Sequence, residues 1–250
     1  MRDLIDECGQ DLASMGYKCK EEKNFGLQIC HMKIKDKRQS ELTGFEEGDY
    51  YIINSKNLLF GESVCLESIS KKVEGLLKKM FKEASLSNKS NFLIIGLGNP
   101  NILADCLGPK VLEQVNIWTY KKKTRVYKFA PNIFANTGID AFDIVGMLAI
   151  WLDVDGVIII DSLATECISR VGCSIQINTA GITPGSAVNN YGKKIGKDTL
   201  GIPCISIGVP LMFFGERVGK DILLTPKDIH QNVDDLAFVI GTAINRAINK

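Results

Sequence analysis

Histidine is almost missing from this chain: His31 and His230 are the only two in 250 residues. That scarcity leaves little support for a structural zinc site, a serine triad or a thiolate activated by imidazole. No uninterrupted apolar run approaches the roughly 20 residues that a membrane-spanning helix needs. Net charge is lacking too. Thirty Lys and Arg stand against 29 Asp and Glu, a formal charge of +1, so no global field draws the chain to nucleic acid or to an anionic membrane. The eight cysteines, Cys8, Cys19, Cys30, Cys65, Cys106, Cys167, Cys173 and Cys204, include no CxxC pair and no signal peptide precedes them. They read as reduced thiols in a cytoplasmic protein.

What is present is a pattern of buried strands and helices. FGLQICHMKI (25–34) and DYYIINS (49–55) read as lead-in strands. A helix follows, because Val64, Ile69, Val73, Leu76, Leu77, Met80 and Phe81 recur at spacings of three and four. After the break SLSNKSN (85–91), short apolar runs alternate with helical stretches: FLIIGLG (92–98), VYKFA (126–130), GVIIID (156–161), SIQIN (174–178) and PCISIGVP (203–210). Helices are expected near 107–116 and 138–152, and a closing helix after Thr225 as its cap and Pro226 in its first turn. The fold class that follows is α/β, with a mainly parallel sheet. A single domain is expected, 1–88 supplying N-terminal strands and a helix and 89–250 a catalytic core.

In open α/β sheets reacting groups gather beyond the carboxyl ends of the strands. Asp161 ends GVIIID, and Asp105 lies in the loop that leaves FLIIGLG. Two neighbouring carboxylates cannot both ionise cheaply, so such a pair holds a shared proton and can work as base and acid. An aspartate after a strand also commonly caps the next helix. The glycines of GLGNPN (96–101) do not complete GxGxxG, since Asn101 stands at the sixth position. That stretch resembles the GLGNPG of peptidyl-tRNA hydrolases, but the catalytic histidine which follows in that family has no counterpart here. Ser186 has no histidine nearby and reads as a turn residue; Cys106 and Cys167 lack an evident base and read as packing residues.

Several long motifs, in one order, resemble those of the spore germination protease family, an atypical group of aspartate-dependent endopeptidases. They are GLGNPNILADCLGP (96–109), NTGIDAFDI (136–144), IIIDSLATECISRV (158–171), SIQINTAGITPGSAVNN (174–190), LGIPCISIGVP (200–210) and the closing stretch 223–249. The resemblance implies that the family's two essential aspartates correspond to Asp105 and Asp161. It implies a three-layer sandwich similar to that of hydrogenase maturation endopeptidases, and no cofactor or metal. It further implies a homotetramer in the spore core that cleaves small acid-soluble spore proteins during germination.

The sequence also departs from the family. Thr179 replaces an aspartate, the family's Thr-Arg-His falls near Trp118, Thr119 and Tyr120, and VPLMFFG (209–215) replaces VPTVVDA. A segment of several dozen residues is reduced to ERVGKD (216–221), and Phe213 and Phe214 stand where a more polar loop is expected. Met1-Arg2-Asp3-Leu4 resembles the start of the family's mature chain, so no long removable prosegment is expected. An inactive member with a binding or regulatory role, or a maturation endopeptidase for another protein, remain as alternatives.

Overall fold

The computed structural model describes residues 3–8, 12–22, 26–58, 63–87, 89–117, 124–185, 192–215 and 222–249. In chain order the elements begin with β1 (Lys18–Glu22), β2 (Leu27–Ile34), α1 (Lys37–Thr43), β3 (Gly48–Asn54) and α2 (Ser63–Glu83). Next come β4 (Phe92–Gly96), α3 (Leu107–Gln114), β5 (Val126–Phe129), α4 (Phe134–Thr137), α5 (Ala141–Trp151) and β6 (Gly156–Thr165). The chain closes with β7 (Ser174–Asn178), α6 (Lys197–Leu200), β8 (Cys204–Phe214), β9 (Leu223–Leu224) and α7 (Ile229–Asn249). Local chemistry fixes several ends. Asp36 caps α1 by accepting the Gln39 N–H, Gly44 closes it in the left-handed region, and Asp140 caps α5 through the Phe142 N–H.

The strands form one sheet in the order β1-β2-β3-β7-β8-β6-β4-β5, with β9 on the edge of β8. Parallel pairing, as expected, joins β8, β6, β4 and β5. The other part is antiparallel: β7 runs against both β3 and β8, so SIQIN extends the sheet towards the N-terminal strands and makes it mixed. Helices cover both faces, giving a three-layer α/β sandwich.

On one face α2, α3 and α7 pack over the largest core, where Ile69, Val73 and Leu77 of α2 meet Leu236, Ile240 and Ile244 of α7. Each such fully buried side chain contributes about 1.5–3 kcal/mol. The opposite face carries two smaller cores. One holds Leu93, Ile95, Val157 and Ile159 with Val145 and Ala149 of α5; the other holds Ile5, Cys8 and Leu12 against Cys30, Met32, Tyr50 and Ile52. Strand alternation puts Asp161, Gly208, Ser206, Gln176 and Asn178 on this same face, between the two cores. A polar strip thus divides the face where the parallel and antiparallel parts meet.

Three expectations need correction. Cys19 and Cys30 are not separate thiols but a disulfide, because β1 and β2 pair these residues directly, Cα to Cα at 4.0 Å. Thr225 does not cap the closing helix: its hydroxyl donates to the Leu211 carbonyl at 2.8 Å, and α7 starts at Ile229. Phe213 and Phe214 are not loop residues. They extend β8 and pair with Leu224 and Leu223 of β9. Among the described residues, no helix is long and apolar enough to cross a membrane.

Candidate active site

Asp105 and Asp161 come from neighbouring parallel strands. The β4–β6 ladder ends at Gly96 opposite Ile160, and beyond it the Leu97 N–H donates to the Ile160 carbonyl at 2.8 Å. The chain leaving β4 then doubles back. Gly98 has φ +106°, and a Cβ built on it would lie 2.0 Å from the Asp105 carbonyl oxygen and 2.9 Å from its Oδ1. Only glycine allows this approach. A short 3-10 turn, Leu103–Asp105, delivers Asp105 to the site, and its Oδ2 accepts the Asn99 N–H at 2.9 Å. Gly96 and Gly108 pack backbone to backbone beneath the loop: a Cβ on Gly96 would sit 2.4 Å from the Gly108 carbonyl oxygen. Helix α3 is thereby held against the end of β4.

Asp161 lies within β6, paired through the ladder with Gly208 of β8. It is buried, with 8% of its surface exposed, and its Oδ1 accepts the N–H of Ser162 at 2.9 Å. Burial drives its carboxyl well above the usual carboxylate range, and the charge of Asp105 pushes the same way. Asp105 is half-buried. Desolvation raises its carboxyl as well, against the stabilising Asn99 N–H. Both carboxyls are thus shifted towards their protonated forms, Asp161 more strongly than Asp105.

A cavity of about 100 Å³ opens on this face; its lining includes Gly208, the ladder partner of Asp161, but neither Asp161 nor Asp105. Leu163, Ser206 and Gly208 line its inner side and Phe45, Ile182 and Lys194 its rim. The Ser206 hydroxyl is buried and has no hydrogen-bond partner.

Other candidates fall away from the pair. His31 bonds to Asp49 at 2.9 Å and stacks on Tyr51, while His230 is exposed on α7. Cys106 is buried in the largest core, where burial pushes its thiol up and away from a nucleophilic thiolate. Cys167 is exposed beside Ser169. Thr179 pins β3 to the chain after β7, its hydroxyl accepting the Asp49 N–H at 3.0 Å. Ser186, the stretch Trp118, Thr119 and Tyr120, and 216–221 lie outside the described residues. Among the described residues no group of three or more metal-ligating side chains occurs.

Sequence reasoning missed the N-terminal segment. Asp3 lines the cavity and its Oδ2 accepts the Ala164 N–H at 2.8 Å. The one signal for it was its place in Met1-Arg2-Asp3-Leu4.

The family model for germination proteases matches residues 6–216. The germination protease of Caldanaerobacter subterraneus subsp. tengcongensis is 31% identical over 218 residues, covering 83% of this chain and 66% of that protein. That of Bacillus subtilis is 32% identical over 216 residues, covering 82% and 58%. That of Clostridium acetobutylicum is 29% identical over 207 residues, covering 79% and 63%. The chain thus spans less than two thirds of the length of these relatives. Among solved structures, the NiFe hydrogenase maturation protease HycI from Thermococcus kodakarensis matches with a TM-score of 0.41 and 18% identity, over 68% of this chain and 98% of that one.

Proposed function

The chain belongs to the germination protease family, and from that premise we propose that it is an endopeptidase in which Asp105 and Asp161 activate water between them. The observation that carries this reading is a buried carboxyl within β6 and a half-buried one in the loop that leaves the adjacent parallel strand β4, the charge of the second raising the first. Burial and mutual repulsion leave one proton for two groups, which is the state that acid–base hydrolysis needs.

In the proposed reaction Asp161 holds the proton and passes it to the oxygen of the scissile carbonyl as the diol forms. Ionised Asp105 takes a proton from water as the water oxygen attacks the carbonyl carbon. The tetrahedral diol then collapses: the C–N bond breaks, the amine nitrogen takes the proton from Asp105, and Asp161 recovers its own from the diol hydroxyl. The backbone-bonded loop holds Asp105 in place without reorganisation during the reaction.

The substrate on this reading is a small acid-soluble spore protein, met in the spore core, and the working form is a homotetramer. Incubating the purified protein with such a substrate should yield discrete fragments. Asp105→Asn and Asp161→Asn should each lose cleavage while remaining folded. An intact substrate with the wild-type chain would favour a binding role, and full activity in either variant would remove that aspartate from the mechanism.

A further inference from the structure

Asn178 of β7 and Ser206 of β8 are ladder partners across the antiparallel seam, so their side chains stand side by side on the face that carries the cavity, and both line it. Both are buried, Ser206 with 1% of its surface exposed. The backbone fixes which way Asn178 is turned. Its Oδ1 accepts the N–H groups of Ala180 at 3.0 Å and Gly181 at 3.1 Å, and because an N–H only donates, the atom bonded there is the oxygen. The Nδ2 hydrogens are left over, with no acceptor among the described residues. Beside them the Ser206 hydroxyl also meets no partner. Unmade hydrogen bonds on buried groups are costly, and here two of them share one floor.

The walls above that floor are apolar. Leu163 crosses Gly208 so closely that a Cβ there would lie 2.4 Å from its Cδ1, and Phe45 and Ile182 stand at the rim. The charged groups of the lining already have partners. Asp3 accepts the Ala164 N–H, and Lys194 lies 3.0 Å from Asp198 and 3.6 Å from Glu46.

We propose that this cavity is a specificity pocket for the carboxamide side chain of a substrate glutamine or asparagine, with Asn178 and Ser206 as the residues that select it. The proposal rests on the endopeptidase reading above and names a side chain that its substrate presents. A carboxamide oxygen accepts from Asn178 Nδ2 while the carboxamide nitrogen donates to the Ser206 oxygen. A carboxylate only accepts, and it would bring charge to a floor that offers no cation. An ammonium only donates, and it would face the Asn178 hydrogens. An apolar side chain leaves both floor groups unpaired, and a site built to hydrogen-bond a group rejects the analogue that lacks it. Gly208, two residues on from Ser206, is the ladder partner of Asp161, so the floor lies one strand over and two residues back from the proposed acid.

The test titrates the full wild-type chain with four acetylated, amidated alanine pentapeptides whose central residue is Gln, Glu, Lys or Met. Two readouts are taken: Kd, and the side-chain NH2 resonance of Asn178. We expect the Gln peptide to shift that resonance and to bind about fivefold or more tighter than each of the others, the size of one or two hydrogen bonds. Ser206→Ala and Asn178→Asp should each reduce the preference for Gln over Met to about twofold or less. Asn178→Asp keeps an oxygen for the Ala180 and Gly181 N–H groups, and the wild-type comparison needs no variant to fold. Equal Kd for the Gln and Met peptides, or tighter binding of the Glu or Lys peptide, overturns the proposal, as does an Asn178 resonance that stays in place. Binding is read without catalysis. A chain that prefers the Gln peptide yet leaves a small acid-soluble spore protein whole keeps the pocket and loses the endopeptidase reading.

Discussion

The Leu97 N–H donates to the Ile160 carbonyl at 2.8 Å, one residue before Asp161 and one before Gly98. This bond extends the ladder to the point where the two strands part. One strand continues and carries Asp161, while the other reverses at Gly98 and brings Asp105 back over the strand end.

Gly98 is the place where that return is most easily broken. Alanine there would meet the Asp105 carbonyl at 2.0 Å and take up a positive φ, a conformation costing about 1–3 kcal/mol. Gly98→Ala should lower stability by an amount of that order and cut peptide cleavage at least tenfold, because the displaced group is the proposed base. Urea unfolding and a cleavage assay check both. Wild-type turnover would show that the close approach has no bearing on the chemistry.

Asp161 should cost the fold stability at neutral pH. Its folded carboxyl holds a proton to higher pH than in the unfolded chain. Between the two values the native state binds more protons, so stability falls as pH rises through that window and is fully retained below the unfolded value of about 3.9. Asn carries no such penalty. Asp161→Asn should therefore melt a few degrees above the wild type at pH 7–8, with the difference shrinking towards pH 4. A variant that melts lower at pH 7 and shows no pH trend would contradict the buried, protonated state.

Much of this was readable in the chain because the information was local. The apolar runs at Phe92–Gly96 and Ser174–Asn178 mark strands, and the stripe from Ile69 to Phe81 marks a helix, since periodicity reports burial within one element. The direction of β7 was not readable. Ile175 and Ile177 face the largest core and Gln176 and Asn178 the polar strip whichever way the strand runs. Thr225-Pro226 looked like a helix start, but a distant carbonyl, that of Leu211, takes the hydroxyl. Likewise the Cys19–Cys30 pair depends on hairpin register, and Asp3 on a hydrogen bond to Ala164 far along the chain. The motif family pointed to Asp105 and Asp161, whereas the place of Asp3 at the cavity required tertiary contacts.

Arg170 should matter for stability more than its position near the surface implies. Its guanidinium is the partner of Asp6, whose side chain is only 6% exposed, and Tyr17 adds one hydroxyl bond at 3.1 Å. Removing the cation leaves a buried carboxylate with that single weak donor, a change worth about 3 kcal/mol, at the low end of the range because the arginine is partly exposed. Arg170→Ala should lose that much in urea unfolding, and adding Asp6→Asn should recover part of it. If the double variant is no more stable than Arg170→Ala, the loss comes from packing of the arginine stem instead.

The cavity lined by Gly208, the ladder partner of Asp161, offers a prediction about substrate binding that leaves both carboxylates untouched. Ser206 lies on β8 between the two small cores, fully buried, with a hydroxyl that meets no partner and a side chain lining a space of about 100 Å³. Leucine at this position would extend into that space. In a filled core such an enlargement costs about 1–3 kcal/mol, but here the extra carbons enter a void, so Ser206→Leu should fold with nearly wild-type stability. If the cavity seats a substrate side chain next to the scissile bond, filling it removes binding energy that positions the peptide, and kcat/KM should fall at least tenfold, chiefly through KM. The titration of Asp161 should not change. Unaltered KM together with unaltered stability would place the substrate elsewhere on the sheet edge, and a shifted Asp161 titration would show that the leucine disturbs the pair itself and not the peptide.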